Sequence, residues 1–159
     1  MGDREKVLKL MEEELEGHKF TLLEYDFFAK PPSLLEEAKI PMRATYILKT
    51  ILLKDKELLS EVSQQIDEEV LDLNKREHLE KIFEALPASL RDLVNALAYL
   101  DTVVKKISYK DKTLEEKPSD LFLSEKLKNV HYRDVIFLAT NIFDWFEKEY
   151  NVDPFLSKD

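Results

Sequence analysis

Two glycines in 159 residues, set against a run of helix-start signals, describe a chain that is almost all helix. Asp3 can cap a first helix, with Glu5 near its positive end. Val7, Leu8, Met11 and Leu15 then recur at helical spacing until Gly17. Thr21 and Glu24 have the spacing of a capping box, with Phe20 and Tyr25 as its hydrophobic staple. That helix must stop before Pro31-Pro32. Ser33 and Glu36 form a second box, opening a short helix that ends before Pro41. Pro41 suits the first turn of the next.

Ala44, Ile47, Leu48, Ile51 and Leu52 line one helical face. Asp55 is a restart point. Leu58, Leu59, Val62, Ile66, Val70 and Leu73 carry the stripe on. The pattern leaves open whether 42–73 is one bent helix or two. Asn74 and Glu77 make a third box, followed by Leu79, Ile82, Phe83 and Leu86, with Pro87 as a stop. Ser89 and Asp92 restart the chain. Leu90, Leu93, Val94, Leu97, Leu100, Val104 and Ile107 form the cleanest amphipathic stripe.

Residues 108–118 are polar and charged and are expected to form a mobile loop. A short helix is expected from Ser119 to Lys128. From Tyr132 to Tyr150 apolar residues cover most of the helical circumference, which predicts a central, buried helix with Asn151 as its cap. No run alternates cleanly enough for a strand. The expected fold is therefore all-α: one domain over 1–159, a bundle of about six to eight helices around a very apolar C-terminal helix.

Composition narrows the function. Hydrophobic residues make up 44% of the chain, enough for a core. There is no cysteine, which removes disulfides, thiol nucleophiles and cysteine zinc sites and fits a reducing compartment. Met1–Glu5 has no apolar region of a signal peptide, and Met42–Leu53 is broken by Arg43 and Lys49 and too short to span a bilayer. A cytoplasmic location without membrane insertion is expected. The net charge of −9 disfavours broad binding to nucleic-acid phosphates. Abundant Lys and Glu with little Gln and Met is the balance of thermophilic proteins.

Catalytic constellations are scarce. His18, His78 and His131 stand in no Glu-x-x-His or His-x-x-x-His pair, so no helical metal site is expected. There is no Gly-x-Ser-x-Gly and no glycine-rich phosphate loop. One carboxylate pattern stands out: Glu68-Glu69-Val70-Leu71-Asp72, then Asp92-Leu93-Val94-Asn95. It resembles the Glu-Glu-x-x-Glu and later Glu-x-x-Asp of the all-α, MazG-like nucleotide pyrophosphohydrolases. The resemblance implies a magnesium ion held over a pyrophosphate by Glu68, Glu69, Asp72 and Asp92, since hard cations need converging oxygens. Two departures weigh against it. Asn95 replaces a carboxylate, and the Asn74–Pro87 helix intervenes.

Two surface features favour a non-catalytic reading without a cofactor. Ala38–Lys54 contains no acid but holds Lys39, Arg43, Lys49 and Lys54, with Tyr46 among them. Lys105, Lys106 and Lys110 form a smaller cluster. Segregated positive charge in an acidic protein suits an acidic protein partner. Phe20, Tyr25, Phe27 and Phe28 form an aromatic patch, of which Phe27 and Phe28 are the expected contacts. The chain is read as an interaction module (an adaptor, accessory subunit or small-protein inhibitor) that binds through Lys39, Arg43, Tyr46, Lys49, Phe27 and Phe28, and a homo-oligomer is compatible with this. A third class is an apolar-ligand carrier with its pocket beside Trp145.

Overall fold

The computed structural model describes residues 2–7, 16–66, 71–124, 127 and 130–150. It overturns the all-α expectation. A four-stranded antiparallel sheet packs beside the helices, its strands neighbouring one another in chain order. β1 is His18–Leu22 and β2 is Tyr25–Ala29, where a capped helix was expected. Thr21 does not cap a helix; its hydroxyl donates across the hairpin to Asp26 Oδ1 at 2.7 Å. Phe20 faces Phe27 in register instead of stapling Tyr25.

The chain then leaves the sheet for five helices: α1 (Leu34–Ala38), α2 (Ile40–Lys54), α3 (Lys56–Gln65), α4 (Arg76–Ala85) and α5 (Ala88–Val103). It returns as β3 (Val104–Tyr109) and β4 (Lys112–Leu114), then finishes in α6 (Pro118–Phe122) and α7 (Tyr132–Tyr150). The 108–118 segment is thus no simple loop. It contains the end of β3, a two-residue turn, β4 and the first residue of α6. Residues 125, 126, 128 and Asn151 lie outside the described residues, as does the 8–15 stretch of the first predicted helix; residues 3–7 are helical.

Several local signals do what their chemistry requires. Ser33 and Glu36 form a reciprocal capping box at the start of α1. Pro41 sits in the first turn of α2. Asp55 settles the 42–73 question as two helices: its side chain accepts the Leu58 N–H and opens α3. Other signals fail. Lys75, not Asn74, precedes α4, and Pro87, not Ser89, precedes α5.

Both hairpins turn without glycine. Leu23 and Glu24 have φ of 51° and 70°, and Lys110 and Asp111 have φ of 49° and 67°. Two-residue loops with both residues left-handed are type I′ turns, whose geometry matches the twist of the flanking strands. Gly17 serves a different purpose. Its φ is +98°, and a β-carbon there would lie 2.2 Å from the Ala29 carbonyl oxygen across the sheet.

The central helix is α5, not the C-terminal one. Val94, Leu97, Ala98, Leu100 and Val103 are buried, and α5 packs against α2, α6, α7 and β3. Burying a leucine such as Leu97 or Leu100 completely stabilises the fold by roughly 1.5–3 kcal/mol. α7 is one-sided: Val135, Leu138, Ala139, Ile142 and Phe146 are buried, while Phe137 is 64% exposed on the opposite face. In the sheet, Tyr25, Phe27 and Ala29 point to the core, and Phe27 stacks on Phe122 of α6 at 5.7 Å. Among the described residues no helix is long and apolar enough to cross a membrane.

Candidate interaction groove

Two helical stripes face one another on the side of the molecule formed by α2 and α4. From α2 come Pro41, Met42, Ala44, Thr45 and Leu48. From α4 come Arg76, Leu79, Glu80, Phe83 and Glu84. Asn74, from the turn before α4, and Asn95 of α5 complete a groove of about 600 Å³. The spacings are those of single helix faces, so each wall is continuous along its helix. The floor is apolar. The polar groups stand at the edges, where Arg76 Nε meets Glu80 at 3.0 Å and Lys49 Nζ donates to the Asn74 side-chain oxygen Oδ1 at 2.7 Å.

Exposed apolar side chains are frequent in the segment that leads into the α2 wall. Leu34, Leu35, Met42 and Tyr46 are all exposed, and all come from α1 and the first turns of α2. Met42, itself a groove residue, is 73% exposed. Such concentrations on a folded domain mark contact surfaces.

The residues singled out by sequence are separated by the fold. Phe27 is fully buried; the alternation of β2 turns it into the core. Phe28 points to the other sheet face, where Lys106 Nζ lies 5.1 Å from its ring. Arg43 is not a free surface cation. Its Nε donates to Asp101 Oδ2 at 2.6 Å, and its guanidinium stacks over Tyr46 at 4.7 Å. Lys105 pairs with Glu36, and Lys106 with Glu16 at 2.9 Å. Lys39 and Lys54 remain exposed at the ends of α2. Of the basic segment's cations Arg43 is thus taken up by the fold, while Lys39, Lys49 and Lys54 have no ion-pair partner among the described residues.

Asp101 is the residue that the sequence reading missed. Its side chain is 1% exposed and accepts from Arg43, from the Ser119 backbone N–H at 2.8 Å and from the Ser119 hydroxyl at 2.5 Å. A buried carboxylate is tolerable only with such partners. The cluster ties α2, α5 and the start of α6 together. The signal was present: Asp101 stands four residues after Leu97 and seven after Val94, on the buried face of its helix.

The carboxylates of the pyrophosphohydrolase pattern behave differently. Glu68 and Glu69 lie outside the described residues. Asp72 is in a turn, where its Oδ1 accepts the Asn74 N–H at 2.9 Å and its own N–H donates to His78 Nδ1 at 2.8 Å. Asp92 is exposed on α5. Among the described residues no three His, Asp or Glu side chains converge as metal ligands. His18 stacks flat on Trp145, with centroids 4.1 Å apart, and Phe20 meets the same indole edge-on. The carrier pocket expected beside Trp145 is thus occupied on that side by the protein's own rings. His131 Nδ1 accepts the Arg133 N–H at the start of α7.

Two titrating groups are displaced from their ordinary values. The Lys105 hydrogen bond, helped by the Ser33 N–H, holds the Glu36 carboxyl below the usual carboxylate range. Burial pushes the Tyr99 phenol up, and the negative charges of Glu147 and Glu37 push it further. Neither group lines the groove.

A scan against protein-family models, a search of curated proteins and a search of solved structures each found no match to this chain.

Proposed function

We propose that this protein is a non-catalytic interaction module that docks a partner protein in the groove between α2 and α4. The observation that carries the reading is the pairing of an apolar floor with Met42 left exposed at its lip. Grooves of this kind take an amphipathic segment, with the apolar floor supplying affinity and the polar rim supplying register. The α2 wall keeps part of the segment picked out by sequence, but through Met42 and Thr45, with Tyr46 nearby, more than through its cations. The reading includes action in a reducing compartment such as the cytoplasm, in keeping with a chain without cysteine.

Met42→Asp tests it. The side chain is exposed, so the fold tolerates the change, while a charge at the lip opposes an apolar partner. Proteins captured from the source organism by the wild type and by Met42→Asp are compared side by side. A partner held by the first and lost by the second supports the groove. The same set held equally by both refutes it.

A further inference from the structure

The two edges of the sheet are unequal. In a hairpin with a two-residue turn, the pair flanking the turn exchanges both of its backbone hydrogen bonds, and so does every second pair beyond it. In the first hairpin those pairs are Leu22 with Tyr25, Phe20 with Phe27 and His18 with Ala29. The N–H and C=O groups of Lys19 and Thr21 therefore point away from β2, out of the sheet. Among the described residues no backbone group bonds to them. By the same count β4 turns only Thr113 outward. Sheets blunt an open edge with prolines, bulges, lysines or a covering segment. β1 has no proline and no shift of register, and Lys19 and Thr21 are exposed. Trp145 of α7 lies against one face of β1, on His18 and Phe20. Glu16, which leads into β1, turns to Lys106 of β3, two strands in from this edge.

The one guard of the edge is Lys19, and the pattern around it is self-complementary. In an antiparallel pair of two such edges, outward residues must face outward residues. Lys19 opposite Lys19 makes two backbone bonds and opposes like charges. Thr21 opposite Thr21 also makes two. The register centred on Phe20 sets Lys19 opposite Thr21 of the second copy, twice over, and makes four. Lys19 then stands two strand spacings, about 10 Å between backbones, from Asp26 of that copy, within the combined reach of the two side chains. Asp26 is held by the Thr21 hydroxyl, and neither it nor Lys19 has an ion-pair partner among the described residues. On the other face the half-buried Phe20 meets Phe20, and His18 meets Leu22.

We infer that β1 is a self-association edge, through which two copies of this chain pair antiparallel about a two-fold axis at Phe20 and join their sheets. No residue of the groove takes part. A pairing this short, between copies that each carry a net charge of −9, belongs to the small, reversible class of interfaces.

Sedimentation of the whole protein over a range of concentrations should show a monomer–dimer equilibrium. Thr21→Pro removes an outward N–H and leaves the β1–β2 bonds in place. It should weaken dimerisation about tenfold or more, because each copy loses a main-chain bond across the interface. Met42→Asp should dimerise like the wild type. The register is read separately. The chain has no cysteine, so Lys19→Cys and Thr21→Cys each add a single thiol. Mixed and mildly oxidised, the two should form a disulfide-linked heterodimer faster than either links to itself, since only the facing positions come within about 7 Å between Cα atoms. A protein that stays monomeric at every concentration overturns the inference. So does a dimer lost in Met42→Asp, one undiminished in a folded Thr21→Pro, or thiols that link no faster when mixed. Circular dichroism checks each fold, and if Thr21→Pro does not fold the cysteine pair decides.

Discussion

Replacing Glu24 by glycine should stabilise this protein, although glycine in a strand region ordinarily does the opposite. Glu24 is exposed and closes the β1–β2 hairpin with φ of 70°. Holding a residue with a β-carbon in the left-handed region costs about 1–2 kcal/mol. Glycine removes that strain but loses about 0.5–1 kcal/mol more backbone entropy on folding. The balance is a gain of about 0.5–1 kcal/mol. For a chain of this size each kcal/mol moves Tm by about 2–4 °C, so Glu24→Gly should melt about 1–4 °C above the wild type. Asp111→Gly relieves the equivalent position of the second turn. Its gain should be smaller, because aspartate enters the left-handed region more readily than glutamate. Thr113→Gly, at an exposed position inside β4, is the control and should lose about 0.5–1 kcal/mol. The assay is thermal unfolding followed by circular dichroism. If Glu24→Gly falls as far as Thr113→Gly, turn strain does not set the stability of the hairpin and the reasoning is wrong.

Three further outcomes follow from the packing. Gly17→Ala should destabilise by about 2–3 kcal/mol, read as a lowered Tm, because it combines a positive φ with a β-carbon 2.2 Å from the Ala29 carbonyl oxygen. Asp101→Ala should cost about 3 kcal/mol or more in denaturant unfolding. It strands Arg43 and two Ser119 donors, and a double-mutant cycle with Arg43→Met should show strong coupling between the two positions. The Glu36 carboxyl titrates below its ordinary value of 4.5 because Lys105 binds its charged form, so its contribution is complete above that value and is lost as pH falls through the lower folded value. Glu36→Gln should therefore melt below the wild type at neutral pH, and the gap should narrow as pH falls below 4.5.

The helices were legible because their punctuation is chemical: a serine and a glutamate three residues apart, a proline in a first turn, an aspartate between two apolar stripes. The sheet was hidden for two physical reasons. Its turns use Leu23-Glu24 and Lys110-Asp111, not the Asn-Gly or Asp-Gly pairs that announce a type I′ hairpin. And β3 follows α5 with no loop, so Leu100, Val104 and Ile107 still fit a helical spacing after the helix has ended at Val103. The apolar face of α7 was over-read for a related reason. Composition shows that Phe137 and Phe143 are apolar, but only the tertiary fold shows that they face outward. The groove was half legible. Its α2 wall lies in the segment marked by charge, whereas Leu79, Phe83 and Glu84 of the opposite wall carry no sequence mark that separates them from core.

The buried Asp101 cluster connects the fold to the groove. Arg43 lies beside Met42 and Ala44, so two residues that line the groove flank the one that anchors α2 to α5. The Lys30 N–H donates to the Val103 carbonyl at 2.9 Å, which fixes the C-terminal end of the same α5 to the sheet. One helix thus holds the α2 wall through a charge pair and the sheet through its backbone. A charge buried at that junction is a costly way to gain stability, since matched apolar residues would often serve as well. Its effect is on placement: a hydrogen-bonded guanidinium fixes the rotation of α2 about its axis, whereas an apolar contact tolerates slippage. Replacing the pair together, as Arg43→Met with Asp101→Leu, removes both charges but still strands the Ser119 N–H and hydroxyl, so Tm should fall less than in Asp101→Ala while groove-dependent partner binding weakens. If binding survives in the folded double variant, the pair has no part in positioning the wall.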